Sequence, residues 1–125
     1  MRGSKADLPV ALETQEGTIR VIEWGDMNLE MGAFEREIDP SPFFKGLPDD
    51  RCQSPHWGYV LKGQLRFHFA DHDEVYNAGD AYYAPPGHTA IIGDNTEYVE
   101  FSPVGPYQQT MEVVGRNLAA LQAEA

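Results

Sequence analysis

An all-β domain closed by one C-terminal α-helix is what this sequence predicts, on three observations. Breakers run through the whole length, 12 Gly and 9 Pro in 125 residues, and leave few stretches long enough for a helix before the C-terminus. What lies between the breakers alternates side-chain type with a period of two, as half-buried strands do. Only the tail carries helical spacing. Many short strands, regular turns and a terminal helix give a closed barrel or a sandwich with the helix packed outside.

The elements follow in chain order. Residues 1–7, with Arg2 and Lys5, read as an untethered leader outside the fold. Residues 18–24 (Thr-Ile-Arg-Val-Ile-Glu-Trp) alternate as a half-buried strand should. Residues 39–48 hold Pro40, Pro42, Gly46 and Pro48 and form a long irregular connection, of the kind that often borders a binding site. Residues 57–61 form the next strand. Residues 65–69 alternate more cleanly, with Leu65, Phe67 and Phe69 on one face and Arg66 and His68 on the other. Residues 81–84, 90–92 and 98–101 are further strands. Their separators (Lys62-Gly63, Asp71-His72-Asp73, Asn77-Ala78-Gly79-Asp80, Pro85-Pro86-Gly87, Gly93-Asp94-Asn95) are turn chemistry, because Gly, Asn and Asp accept positive φ and Pro presets φ. In the tail, Met111, Val114, Leu118 and Leu121 make an apolar stripe at helical spacing, predicting a helix over about 108–123. At 125 residues the chain is expected to be a single domain.

Charge narrows the function. Nine basic against twenty acidic residues leave a formal charge of −11, a field that repels phosphate backbones and anionic lipid. Neither nucleic acid nor a membrane is therefore an expected partner, and no apolar run approaches the length of a membrane span. A lone cysteine makes no internal disulfide, which suits a reducing cytoplasm.

Chemistry-bearing residues concentrate between Asp50 and Asp94. Asp50, Cys52 and His56 are potential metal ligands within seven positions, and on a continuous extended strand all three share a face. Pro85-Pro86-Gly87-His88 brings another polar group after the intervening strands. A divalent ion needs three or four N, O or S donors converging from different segments, and this set would supply them. His68 and His72 sit on or beside a hairpin and face outward.

The spacing resembles the cupin family, a small double-sheet jelly roll whose first motif is G-x5-H-x-H-x3-4-E-x6-G and whose second is G-x5-P-x-G-x2-H-x3-N. Here Asp50-x-Cys52-x3-His56-x6-Gly63 reproduces the first motif from its first histidine to its last glycine, and Gly79-x5-Pro85-x-Gly87 reproduces the opening of the second. The resemblance covers residues 50–101 and implies a cupin-like double-stranded β-helix, a jelly-roll barrel. Its ligand positions depart from the family's: Asp50 and Cys52 stand at the two histidines, His56 at the glutamate, Ala90 at the later histidine and Asp94 at the asparagine. His88 precedes that later histidine position by two residues, on the same strand face but about 6.6 Å away along the strand. It joins a metal only if the Pro85-Pro86-Gly87 corner re-aims it or the site lies nearer the barrel mouth.

Three functions follow. The first is a barrel-mouth metal centre of Cys52, His56 and His88, with Asp50, holding zinc or iron; thiolate and imidazoles suit zinc, and two histidines with a carboxylate suit iron(II). The second is a metal-free pocket for a small molecule, walled by Trp57, Phe67, Phe69 and the tyrosines. There His56 or His88 would act as general base and Tyr59 or Tyr83 as acid, as in isomerases and epimerases of the same fold. The third is a non-catalytic sensor whose terminal apolar stripe docks on another chain. The resemblance also implies a homodimer.

Overall fold

A computed structural model describes residues 1–124. Nine antiparallel strands form two sheets. The larger sheet has the order β1-β2-β3-β9-β4-β7, built from β1 (Val10–Glu13), β2 (Gly17–Trp24), β3 (Met27–Phe34), β9 (Thr96–Pro103), β4 (His56–Lys62) and β7 (Ala81–Ala84). The smaller is β6-β5-β8, from β6 (Asp73–Asn77), β5 (Gln64–His68) and β8 (Thr89–Ile92). Helix α1 (Val104–Ala123) follows β9 directly. This is the jelly-roll arrangement with a C-terminal helix that the sequence predicts.

Alternation fixes which residues face the interior. Val60, Leu65, Phe67, Tyr76, Tyr82, Ala84, Ile92 and Tyr98 form the buried core between the sheets. In β9, Thr96, Tyr98, Glu100 and Ser102 are buried, while Phe101 stands out. In β4, His56 and Val60 point in, and Trp57 and Tyr59 point out. Gln64–His68 and Ala81–Ala84 alternate in the same way.

Several boundaries differ from the sequence expectation. Strands β1, β3 and β6 have no counterpart in it. Helix α1 begins at Val104 rather than near 108, because Pro106 lies in the first turn, where a missing N–H costs nothing. Lys5 is not free: its Nζ lies 2.8 Å from Glu97 Oε1, and a turn holds Ser4 to Asp7. The apolar stripe of α1 packs on its own barrel, burying Tyr107, Thr110 and Val114 and leaving Leu121 exposed. Asn117 Nδ2 donates to Phe43 O (2.7 Å) and Lys45 O (2.8 Å), tying the helix to the 3-10 turn Ser41–Phe44. The irregular connection of residues 39–48 is thereby pinned over one end of the barrel, where Pro40, Phe43 and Phe44 wall a cavity. Among the described residues no helix is long and apolar enough to cross a membrane.

Candidate functional site

Three segments converge on that cavity. Cys52 follows the turn Pro48–Asp50 and pairs with the segment entering β8: its N–H donates to His88 O (2.8 Å), and Gly87 N–H donates to Cys52 O (2.8 Å). His56 opens β4 opposite Ala84. His88 is delivered by the Pro85-Pro86-Gly87 corner, where Gly87 takes φ of +94°, a left-handed conformation that a side chain would strain. His88 is 2% exposed and lines the cavity together with Ala90 and Ile92, the residues of its own strand parity.

The outcome is a buried cluster. Potential ligand atoms of Cys52, His56 and His88 all lie within 4.8 Å of one another. Cys52 Sγ is 3.6 Å from His56 Nε2 and 3.7 Å from Thr110 Oγ1. The His56 and His88 rings meet edge-on at 4.9 Å, and His88 also packs at 4.9 Å from the Phe67 ring. Each imidazole is held from behind. His88 Nδ1 donates to Pro85 O (2.8 Å), which leaves Nε2 as a lone pair. His56 Nδ1 is 2.7 Å from Ser102 Oγ and 3.8 Å from Glu100 Oε2. We assign the ring proton to Nδ1, donating to Ser102 Oγ, so Nε2 faces the thiol as an acceptor.

Burial sets the protonation. It pushes both histidines down to about 4, against which the Glu30 charge pulls His56 up and the Pro85 carbonyl pulls His88 up. Both imidazoles are therefore neutral at physiological pH. Burial pushes the Cys52 thiol up to about 11, so it is protonated until something replaces the proton.

Two residues expected at the site lie elsewhere. Asp50 is exposed with φ of +54°, and its Oδ1 accepts from Gly46 N–H (2.9 Å). The same-face argument assumed an extended chain, whereas Pro48–Asp50 turn before Cys52 and aim Asp50 away. Tyr59 is 45% exposed on the outer face of β4, where parity places it opposite His56. Trp57 and Tyr83 also lie outside, stacked on each other at 5.1 Å. Phe67 lines the cavity, and Phe69 only packs against the core.

The cavity, about 100 Å³, holds residues that sequence reasoning passed over. Glu30 and Glu100 are cross-strand partners on β3 and β9, 7% and 5% exposed. Glu30 accepts from Tyr98 (2.5 Å) and Tyr107 (2.7 Å), and Glu100 Oε1 accepts from Tyr82 (2.6 Å). Burial, and then the charge of Glu100, raises Glu30 to about 7 against the tyrosine hydrogen bonds; burial raises Glu100 to about 7 against Tyr82. The sequence does carry a signal for them. Glu100 shares strand parity with Tyr98 and Ser102, and Gly58, mid-strand beside it, leaves the space across which Tyr82 reaches it.

One separation in the cluster is that of two ligands on one ion, while the three ligand atoms together spread over up to 4.8 Å. Ligands at about 2.3 Å (sulfur) and about 2.0–2.1 Å (nitrogen) around one tetrahedral ion stand about 3.6 Å apart, which matches the Cys52–His56 separation. A hydrogen bond behind each imidazole is the usual support of a ligating histidine.

No family model matches the sequence, and no curated protein matches it. Solved structures do. An RmlC-like cupin from Shewanella frigidimarina is similar at TM-score 0.56 and 12% identity, over 81% of this chain and 87% of that one. A cupin-2 domain containing protein from the same organism is similar at TM-score 0.50 and 18% identity, over 73% and 84%. An oxalate decarboxylase of Bacillus subtilis is similar at TM-score 0.57 and 14% identity, over 81% of this chain but 28% of that one. At such identities the likeness speaks for architecture alone. With two antiparallel sheets enclosing a cavity and these neighbours, the chain has the fold of the cupin superfamily.

Proposed function

We propose that this chain is a small-molecule-binding cupin whose pocket holds a divalent metal ion on Cys52, His56 and His88. The convergence of three ligand atoms within 4.8 Å, on two neutral imidazoles with their Nδ1 atoms anchored, carries the reading. Zinc suits the donor set best, since a thiolate and two imidazoles leave one position open. Iron(II) would call for a carboxylate in the cluster, and Asp50 is aimed away. When bound, the ion would polarise a ligand oxygen or acidify a water. Around it, Ser102 and Pro85 orient the imidazoles, and Thr110 positions the sulfur.

Metal analysis of protein purified without added metal, and again after zinc loading and desalting, tests this. About one ion per chain is expected, with loss in each of Cys52→Ala, His56→Ala and His88→Ala. Sub-stoichiometric metal in the parent that no variant lowers would sink it. The same donor types also take copper, so copper and iron are measured alongside.

A second reading, metal-free acid–base catalysis in the same pocket, is favoured by the carboxyl pair. A general acid or base works best with its pKa near the working pH, and Glu100 at about 7 meets that where the histidines at about 4 do not. Turnover that survives exhaustive chelation would select it. Under either reading we place a homodimer interface on the outer face of the larger sheet, where Trp57, Tyr59, Tyr83 and Phe101 stand exposed as neighbours.

A further inference from the structure

We propose that the metal-free pocket selects small neutral or cationic hydrogen-bond donors, alcohols and primary amines, seated on Glu100 Oε2, and turns away carboxylates and phosphates. The inference rests on the reading of the cavity as a small-molecule site and adds the class of ligand.

Three observations carry it. The first is the composition of the wall: two carboxyl groups line the cavity and, among the described residues, no lysine or arginine does. In the metal-free chain an anionic ligand would lie beside Glu30 and Glu100 in a poorly screened interior with no cation to meet it. The second is an unused acceptor. Three of the four carboxylate oxygens accept a tyrosine hydroxyl: both of Glu30, and Oε1 of Glu100. Glu100 Oε2 has no donor among the described residues, the neutral ring nitrogen His56 Nδ1 being 3.8 Å away and beyond hydrogen-bond reach. Glu100 is 5% exposed and lines the cavity, so a polar oxygen without a partner faces the space a ligand would fill. This oxygen is open to the cavity rather than sealed, and a ligand O–H or N–H would supply the donor it lacks. The third is size and the rest of the wall. Phe34, Ile38, Phe44, Leu65 and Ile92 are apolar, and about 100 Å³ is smaller than the 150 Å³ apolar cavity known to hold benzene, so the ligand body is a branched or short aliphatic group of about four or five heavy atoms.

Isobutylamine and isobutanol present one shape as a cation and a neutral donor; isobutyrate, one heavy atom larger, is the anion, and isobutyramide, its neutral isostere, controls for that size. Their affinities are measured by NMR titration of the full chain, once after chelation and once loaded with zinc. After chelation the amine and the alcohol are each expected to bind at least tenfold tighter than isobutyrate, and in the zinc-loaded chain, where the ion offers the carboxylate a partner, that preference should shrink. In Glu100→Gln the preference for the amine over isobutyrate should shrink at least fivefold; should that variant fail to fold, the parent series decides alone. Isobutyrate binding as tightly as the amine after chelation overturns the proposal while leaving the pocket itself in place. Absence of binding by all four overturns both the selectivity and the small-molecule site. Metal content, measured on the same samples, reports separately on Cys52, His56 and His88.

Discussion

The two faces of the larger sheet reverse the usual distribution of polarity. The inner face of β3, β9 and β4 carries Glu30, Glu100, Ser102 and His56, all buried. On the outer face of the same strands, Phe101, Trp57 and Tyr59 are 40–46% exposed, and Tyr83 joins them from β7. Barrel interiors gain stability by enclosing apolar groups, whereas this one encloses two carboxyls and two imidazoles at a desolvation cost. The smaller sheet shows what an ordinary interior looks like here, with Leu65, Phe67 and Ile92 facing in and Arg66 and Val75 facing out. Polarity concentrated inside one sheet marks where chemistry is held. Aromatics concentrated outside it mark where another surface would cover them.

Ionisation of the inner layer gives the largest effect. Between about 4.5 and about 7 the folded chain keeps protons on Glu30 and Glu100 that the unfolded chain has lost, so these groups make stability fall as pH rises through that window and leave it flat above. Between about 4 and 6.5 the unfolded chain holds protons on His56 and His88 that the folded chain lacks, so they make stability rise with pH. In the parent the two slopes oppose each other. In metal-free Glu100→Gln the falling slope weakens, and the variant gains on the parent between pH 4.5 and pH 8 by up to about 3 kcal/mol. Denaturant melts across that range check it; a difference that stays constant with pH would show Glu100 to be ionised and solvated, and the contrast between the faces would collapse.

Packing of the same layer comes next. Gly58 sits where a Cβ would overlap the Tyr82 ring, and Gly32 where one would overlap the Tyr98 ring. These rings carry the hydroxyls that hold Glu100 and Glu30. Gly58→Ala and Gly32→Ala are expected to cost about 1–3 kcal/mol each in unfolding free energy, with the ring shifts read by NMR. A cost near zero would mean the tyrosines have room to move and do not fix the carboxyls.

How much of this was legible follows the same division. Strands β5 and β7 alternate cleanly between turns, and β2 falls within a residue of the span its pattern predicts. β3 was hidden because Asn28, Leu29 and Glu30 are buried in succession, which erases the period of two, and Gly32 interrupts what remains. β6 was hidden because its sequence, Asp-Glu-Val-Tyr-Asn, buries only Tyr76. Cys52 and His56 were readable from residue type and motif spacing and His88 from residue type alone, two residues off the motif position, whereas Asp50 failed where a turn replaced the assumed strand. Glu30 and Glu100 escaped because a strongly acidic chain invites every carboxylate to be read as solvated surface. Their burial depends on tyrosines from β7, β9 and α1, a tertiary fact that no local pattern states.

At the edge of the pocket the expected effect is smaller. Asn117→Ala removes two hydrogen bonds to the carbonyls of Phe43 and Lys45. These bonds are partly exposed, so the loss is about 1 kcal/mol, falling on the Ser41–Phe44 turn rather than on the barrel. Hydrogen exchange is expected to quicken at the Phe43 and Leu47 amides while core amides such as that of Val60 hold their rates. Equal acceleration everywhere would place the turn inside the cooperative core and remove it as a separable wall of the cavity.

The outer face should respond least in folding and most in assembly. Trp57 is the immediate neighbour of His56 in β4, yet it is 46% exposed and its cross-strand partners are Phe101 and Tyr83. Trp57→Lys would place a charge in the centre of that aromatic group. An exposed substitution away from buried features changes stability by about 0.5 kcal/mol or less, so melts of the dilute chain should scarcely move. Light scattering should meanwhile report a fall from two chains to one, because a lysine at the middle of an apolar interface must be desolvated without a partner. An unchanged mass would remove the interface from this face. A large loss of stability would show instead that the Trp57–Tyr83 stack supports the sheet, and the two faces would no longer differ in kind.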